Sequence, residues 1–210
     1  MLRIWGRTNS INVQKVMWTV GELGLPHERI DAGGAFGRLD TPDYGALNPN
    51  RRVPTVEDDD GRVVLWESNA VVRYLAARHG AGSLWPEDPA ERARADMWMD
   101  WMQTELIPEM TVVFWGLIRT PEDRRDMAAI GAAAKRLGEK FRLLDGWLEA
   151  GGSAYVAGGG LTIGDVPVGA ACYRYHALPL ERPPLPRVEA WYARLRGRPP
   201  FREHVMIPLS

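Results

Sequence analysis

The sequence predicts a small α/β domain followed by an all-α domain. Two observations predict it. Up to residue 79, short strand-like runs alternate with amphipathic helices in the order β-α-β-loop-β-β-α. Beyond residue 90 the strand signals vanish and long apolar repeats at helical spacing take over. Residues 80–89, GAGSLWPEDP, break both patterns and read as a linker between a domain at 1–79 and a helical domain at 90–210.

Leu2-Arg3-Ile4-Trp5 reads as a short buried strand, and Ser10 to Leu23 as a helix with Val13, Val16, Met17, Val20 and Leu23 on one face. Gly24-Leu25-Pro26 ends that helix, and Glu28-Arg29-Ile30 is a second strand. Residues 33–50, rich in Gly and Pro, are expected to be mostly loop. Strands follow at Pro54–Glu57 and Arg62–Leu65, separated by the turn Asp58-Asp59-Asp60-Gly61, which reads as a solvated turn. A helix then opens at Glu67-Ser68-Asn69 and carries Val71, Val72 and Leu75. In the second half, one helix runs from Trp98 past Met110 to Leu117, with a kink expected at Pro108. A second carries Met127, Ile130, Leu137, Phe141, Leu144 and Leu148. A third starts near Thr162, and a fourth carries Val188, Trp191 and Leu195.

Composition narrows the function. The 210 residues are 45% hydrophobic, enough for a real core. The net charge of -1 provides no basic field for phosphates, so neither nucleic acid nor an anionic membrane is an expected partner. The single cysteine, Cys172, rules out an intrachain disulfide and a Cys-x-x-Cys pair, and reads as a buried small hydrophobe in a protein of a reducing compartment. The start, MLRIWGRTNSINV, is strand-like rather than a signal peptide, and no apolar stretch approaches the roughly 18 residues of a membrane span. The expectation is a cytoplasmic protein. No metal is expected: three adjacent carboxylates at Asp58–Asp60 cannot converge on one ion, and His27, His79, His176 and His204 have no ligand spacing.

The stretch from Asn48 to Leu75 carries the chemistry. A Pro between a turn and a strand, as at Val53-Pro54, is where a cis bond turns the preceding N–H and C=O outward. A helix start exposes unpaired N–H groups that bind carboxylates, and Ser68 sits at one. Together they offer two grips on a small peptide-like ligand. Farther along, Leu161-Thr162-Ile163-Gly164-Asp165-Val166 suits a helix-opening capping box, with Thr162 capping the Asp165 N–H and Asp165 reaching back to Thr162.

The Val-Pro step, the Glu-Ser pair, the linker and the capping box, in this order and spacing, resemble the glutathione transferase family over nearly the whole chain. GRTNSINVQKV is most similar to the bacterial branch with Ser and Asn near the first helix. The resemblance implies a thioredoxin-like N-terminal domain, a helical domain that contributes the acceptor-substrate site, glutathione as co-substrate, and a homodimer. It also implies activation of the glutathione thiol for conjugation to a small electrophilic, mostly apolar acceptor. Alternatives are a non-catalytic binding or scaffolding protein of the same fold, or a glutathione-dependent isomerase, reductase or dehalogenase.

Ser10 is then the leading candidate to donate to the glutathione sulfur, against a plain N-cap role, with Asn12 next and Thr8 also in reach. Glu67 would meet the γ-glutamyl amine and Ser68 its carboxylate. Val53, presented by Pro54, would pair with the cysteinyl backbone, and Arg52, or Arg51 in its place, would meet the glycine carboxylate. Trp5 stands where a Tyr-based mechanism would need Tyr, and no Cys lies near Ser10. The second substrate is expected between the domains, walled by Gly6-Arg7 and by Trp98, Met102, Phe114 and Trp115.

Overall fold

Alternation of buried and outward side chains builds the first strand, β1 (Leu2–Trp5), with Leu2 and Ile4 turned into the core. The computed structural model describes residues 1–210 and divides them into two compact units. These are Met1–Ala81 with Pro200–Ile207, and Gly82–Pro199 with Pro208–Ser210.

In the first unit, α1 (Ile11–Glu22) leads from β1 to β2 (His27–Ile30), which pairs with β1 in parallel. After α2 (Pro42–Leu47) come β3 (Thr55–Asp58) and β4 (Val63–Trp66), then α3 (Ser68–His79). The sheet order is β2-β1-β3-β4, with β3 antiparallel to both of its neighbours. Register puts Ile4 opposite Val56 and Val56 opposite Leu65. Valines on α1 and Val71 and Leu75 on α3 close over Leu2, Ile4 and Val56. Each such fully buried side chain contributes about 1.5–3 kcal/mol of transfer free energy.

The segment 33–50 is not mostly loop: it holds a 3-10 turn at Gly34–Phe36 and the helix α2. Thr41 caps α2 by accepting from the Tyr44 N–H, and Pro42 supplies a first helical residue with φ already set. Those local signals outweigh the Gly and Pro content. Asp58 is not solvated either. It is 8% exposed, caps the following turn through the Asp59 N–H, and accepts from the Tyr74 hydroxyl at 2.8 Å. The Asp59 and Asp60 backbones take positive φ.

In the second unit, Asp88 opens α4 (Pro89–Trp101) by accepting from the N–H groups of Ala90 and Glu91. The helix runs on through a π-helical turn at Met102–Leu106 into α5 (Ile107–Phe114) and a second π-helical turn at Trp115–Arg119. The expected disturbance at Pro108 is this first π turn: a proline lacks the N–H and excludes a carbonyl of the preceding turn, and a widened turn accommodates both. α6 (Met127–Gly151) is capped by Asp126 and buries Ile130, Leu137, Phe141, Leu144 and Leu148. α7 (Asp165–Ala177) and α8 (Pro186–Arg196) complete the bundle.

The capping box at Thr162 differs from its expected form. The Asp165 N–H bonds the Thr162 carbonyl, and the Thr162 hydroxyl donates to the Asp165 carboxylate instead of accepting. That carboxylate, fully buried, also receives the N–H groups of Thr162 and Val156 and the Trp191 indole. It ties the loop before α7, α7 itself and α8 together. Burial outweighs these donors and pushes its pKa up to about 6.

α9 (Pro199–His204) returns to the first unit from Pro200 on. Phe201 packs edge-on against the fully buried Trp18 at 4.7 Å, and Pro200 and His204 close against Gly21. The sequence assigned these residues to the helical domain. A lone aromatic after a Pro-Pro step carries no signal of the face it will cover.

Candidate active site

Four elements meet at one corner of the first unit: the start of α1, the loop before β3, the end of β4 and the start of α3. Ser10 takes the N-cap position of α1 in an extended conformation, and its hydroxyl makes no capping bond. Asn12, one residue inside α1, accepts from the Ser68 hydroxyl at 3.2 Å through its Oδ1. The first turns of α1 and α3 are therefore within hydrogen-bond reach of each other. Lys15, fully buried on α1, donates to Asn69 Oδ1 at 3.0 Å and fastens the same two helices one turn deeper. Both helices are 12 residues long, so each presents a full set of unpaired N–H groups at its start.

Glu67 precedes α3 with φ 66 and ψ 104, a backbone conformation that an L-residue with a side chain rarely adopts. Strain of this kind costs about 1–3 kcal/mol and concentrates at ligand sites. The neighbouring Ser68 is 5% exposed.

The Val53-Pro54 peptide is cis. The loop around it is held by a network that the sequence reading did not find. The Tyr44 hydroxyl donates to the Arg52 carbonyl at 2.6 Å and lies 2.9 Å from the Thr55 hydroxyl. Asn48 Nδ2 donates to the same carbonyl and to Thr55 Oγ1. Thr41-Pro42, a cap followed by an N1 proline, was the available signal, because it builds the short helix that carries Tyr44. The N–H and C=O of Val53 enter no hydrogen bond within the chain. Gly6 makes room beside it: a Cβ there would meet Val13 at 2.4 Å and Val53 at 3.4 Å.

The two arginines differ. Arg51 spends its guanidinium on the carbonyls of Leu39 and Thr41, at 2.8 and 3.0 Å. Arg52 is exposed, and its side chain makes no such bond. Thr8 is exposed and lines a cavity of about 320 Å³ with Gln14, Met17, His27, Arg29 and His204. Gln14 Oε1 is buried without a partner.

In the helical unit, Trp98 and Met102 are core residues, and Trp98 packs edge-on against Trp101 and Trp147. Phe114 is buried, whereas Trp115 is 59% exposed. Cys172 is buried, its sulfur 3.4 Å from His176 Nδ1, and burial pushes its thiol pKa far above the ordinary value, as an unreactive core cysteine requires. No group of three or more His, Cys, Asp or Glu side chains is arranged to hold a metal ion. No helix is long and apolar enough to cross a membrane.

The chain matches the glutathione S-transferase N-terminal domain family over residues 9–78 and the C-terminal domain family over residues 106–199. It is 43% identical over 210 residues to glutathione S-transferase GstB of Escherichia coli K12, covering 100% of both chains. A crystal structure of the theta class glutathione S-transferase from Xanthomonas axonopodis pv. citri with glutathione bound superposes with a TM-score of 0.94. That structure is 48% identical in sequence and is covered at 100% of this chain and 99% of that one. A more distant relative, a glutathione S-transferase of Zea mays, is 28% identical over 99% of this chain and 95% of its own. Matched by both domain families and 43% identical over its full length to one of their members, this chain belongs to the glutathione S-transferase family.

Proposed function

We propose that the protein is a glutathione transferase that raises the thiolate fraction of bound glutathione and delivers the sulfur to a small electrophilic acceptor. One observation carries the reading: an uncommitted hydroxyl at the N-cap of α1, next to a helix start that is hydrogen-bonded to the start of α3. Free glutathione resembles free cysteine, with a thiol pKa of about 8.5 and about 3% thiolate at pH 7. Lowering that pKa by about two units raises the fraction to roughly three quarters, for about 2.7 kcal/mol of differential stabilisation. The Ser10 hydroxyl donating to sulfur, together with the N-terminal dipole of α1, supplies part of it. Asn12 is engaged by Ser68 and Thr8 belongs to another cavity, which favours Ser10 over both.

The remaining roles follow the same geometry. Ser68 and the N–H groups at the start of α3 receive the γ-glutamyl carboxylate, and Glu67 its ammonium. Val53, its backbone N–H and C=O unpaired beside Pro54, matches the ligand's cysteinyl backbone strand-fashion. Arg52 meets the glycine carboxylate, because Arg51 is committed elsewhere. No covalent enzyme intermediate is needed. The protein contributes positioning and charge stabilisation. A homodimer, a cytoplasmic location and a role in detoxification complete the reading.

The test combines retention on immobilised glutathione with conjugation of a chlorodinitrobenzene. Retention with turnover supports the reading. Retention without turnover favours a binding protein on the same fold, and absence of both refutes it.

A further inference from the structure

α6 and the segment 179–183, which lies between α7 and α8, border a cavity of about 650 Å³. Every residue that lines it belongs to the helical unit. Its volume falls in the range of roughly 300–1,000 Å³ typical of small-molecule sites. Ile130 and Ala134 from α6, and Leu180 and Pro183 from the segment, make apolar walls. Two glycines of α6 keep the space open. A Cβ at Gly131 would meet nothing within 4 Å, and one at Gly138 would touch Pro183 and the Tyr175 hydroxyl, each at 3.6 Å. That hydroxyl belongs to a fully buried side chain and has no hydrogen-bond partner.

The cavity is also charged. Lys135, Arg142 and Arg182 line it, against the single carboxylate of Glu181, so two positive charges stand in excess. Lys135 and Arg142 make no hydrogen bond or ion pair within the chain. One terminal nitrogen of Arg182 donates to the carbonyls of Tyr175 and Leu178, at 3.3 and 3.1 Å, which pins the segment and leaves its other N–H groups uncommitted. Lys135 and Arg142 are seven residues apart on one helix, so their Cα atoms are about 10 Å apart along its axis. Of α6, only Gly138 lines the cavity between them, with Pro183 beside it. A ligand with one carboxylate satisfies one of these cations and leaves the other unmatched. A ligand with a carboxylate at each end meets both, and its methylene chain lies along the apolar walls. A chain of about eight to ten carbons spans the distance.

We propose that this cavity is a binding site for an aliphatic dicarboxylate with a carboxylate at each end of its chain. Lys135 and Arg142 hold the two ends, and the chain lies against Ala134, Leu180 and Pro183. Arg182 adds a third positive group from the facing segment, and the Tyr175 hydroxyl is a spare donor behind Gly138. Lys135 and Arg142 are exposed, so the attraction depends on ionic strength. The ligand is bound and not transformed. The site uses side chains of the helical unit alone and needs no part of the glutathione-conjugating activity proposed above.

Titration calorimetry on the full chain tests it, with decanedioate, decanoate, decanediol and butanedioate as probes. Decanedioate should bind about tenfold or more tightly than decanoate, although decanoate is the more apolar of the two. Uncharged decanediol, and butanedioate, too short to reach both cations, should bind more weakly than decanedioate. Lys135→Gln and Arg142→Gln should each bring the decanedioate-to-decanoate ratio down toward one, whereas Lys135→Arg should preserve it. Raising salt from about 0.05 to about 0.5 M should weaken decanedioate more than decanoate. Gly131→Leu places its side chain in open space at the cavity wall and replaces a helix glycine, so it should abolish binding without lowering the melting temperature. Equal affinity for decanedioate and decanoate would reduce the cavity to an apolar cleft, and binding that survives Gly131→Leu would put the anion elsewhere. Either result overturns the proposal. A chain that is retained on immobilised glutathione but binds no dicarboxylate would overturn this site alone and leave the transferase reading intact.

Discussion

Ser10 occupies a position where most serines would cap a helix, yet its hydroxyl caps nothing. A hydrogen bond that strengthens only as charge builds on sulfur acts on the pKa and not on affinity. Ser10→Ala should therefore raise the thiol pKa of bound glutathione by roughly 1–2 units and lower turnover, with glutathione affinity little changed. Thiolate absorbance against pH measures it, and an unmoved pKa would shift the role to Asn12. Asp165 poses the opposite case, a residue spent wholly on structure. Its folded pKa of about 6 lies above the unfolded value of about 3.9. Between these values the native state holds a proton that the unfolded chain has released. The contribution is full below about pH 4 and is lost as pH rises through about 6, a loss of about 2–3 kcal/mol. Above about pH 6 Asp165→Asn should be less stable, because an amide cannot accept from four donors as the carboxylate does. Its denaturant midpoint should also lack that downward slope across the window. A parallel pair of pH curves would show that Asp165 does not titrate there.

At the scale of elements, the junction of β4 and α3 holds a conformation that its residue resists. Glu67→Ala keeps the backbone strain at φ 66 and loses the carboxylate, whereas Glu67→Gly loses both. Both variants should raise the KM for glutathione. The glycine variant should be the more stable of the two by about 1 kcal/mol, against the usual order of these residues outside such a site. Denaturant titration decides, and the reverse order would mean that the surroundings store no strain there. Elements were legible wherever apolar spacing was long or a cap was local: α1, α3, α6 and all four strands stand within a few residues of their expected places. The site was legible one residue type at a time, as Ser10 at a helix start or Pro54 after a turn. The bonds between those pieces were not. Asn12 and Ser68 are 56 residues apart, and Tyr44 reaches Thr55 across a loop that composition alone read as irregular. Such contacts are fixed by how the sheet registers, which periodicity does not encode.

For the whole molecule, the prediction is association. Trp115, Met127 and Leu143 leave large apolar side chains at the surface of the helical unit, at 59%, 61% and 53% exposure. Light scattering at micromolar concentration should return twice the chain mass of 23.5 kDa. A monomer of full activity would mean that each chain works alone. The first unit has an uneven inventory of its own, since Phe201 belongs to it and covers Trp18. On a ribosome, α1 is synthesised more than a hundred residues before the side chain that shields it. The nascent sheet and helices must wait, with a bare indole, for the rest of the chain to emerge. Translation speed and chaperone access through the helical region thus bear directly on whether the glutathione-binding half closes at all.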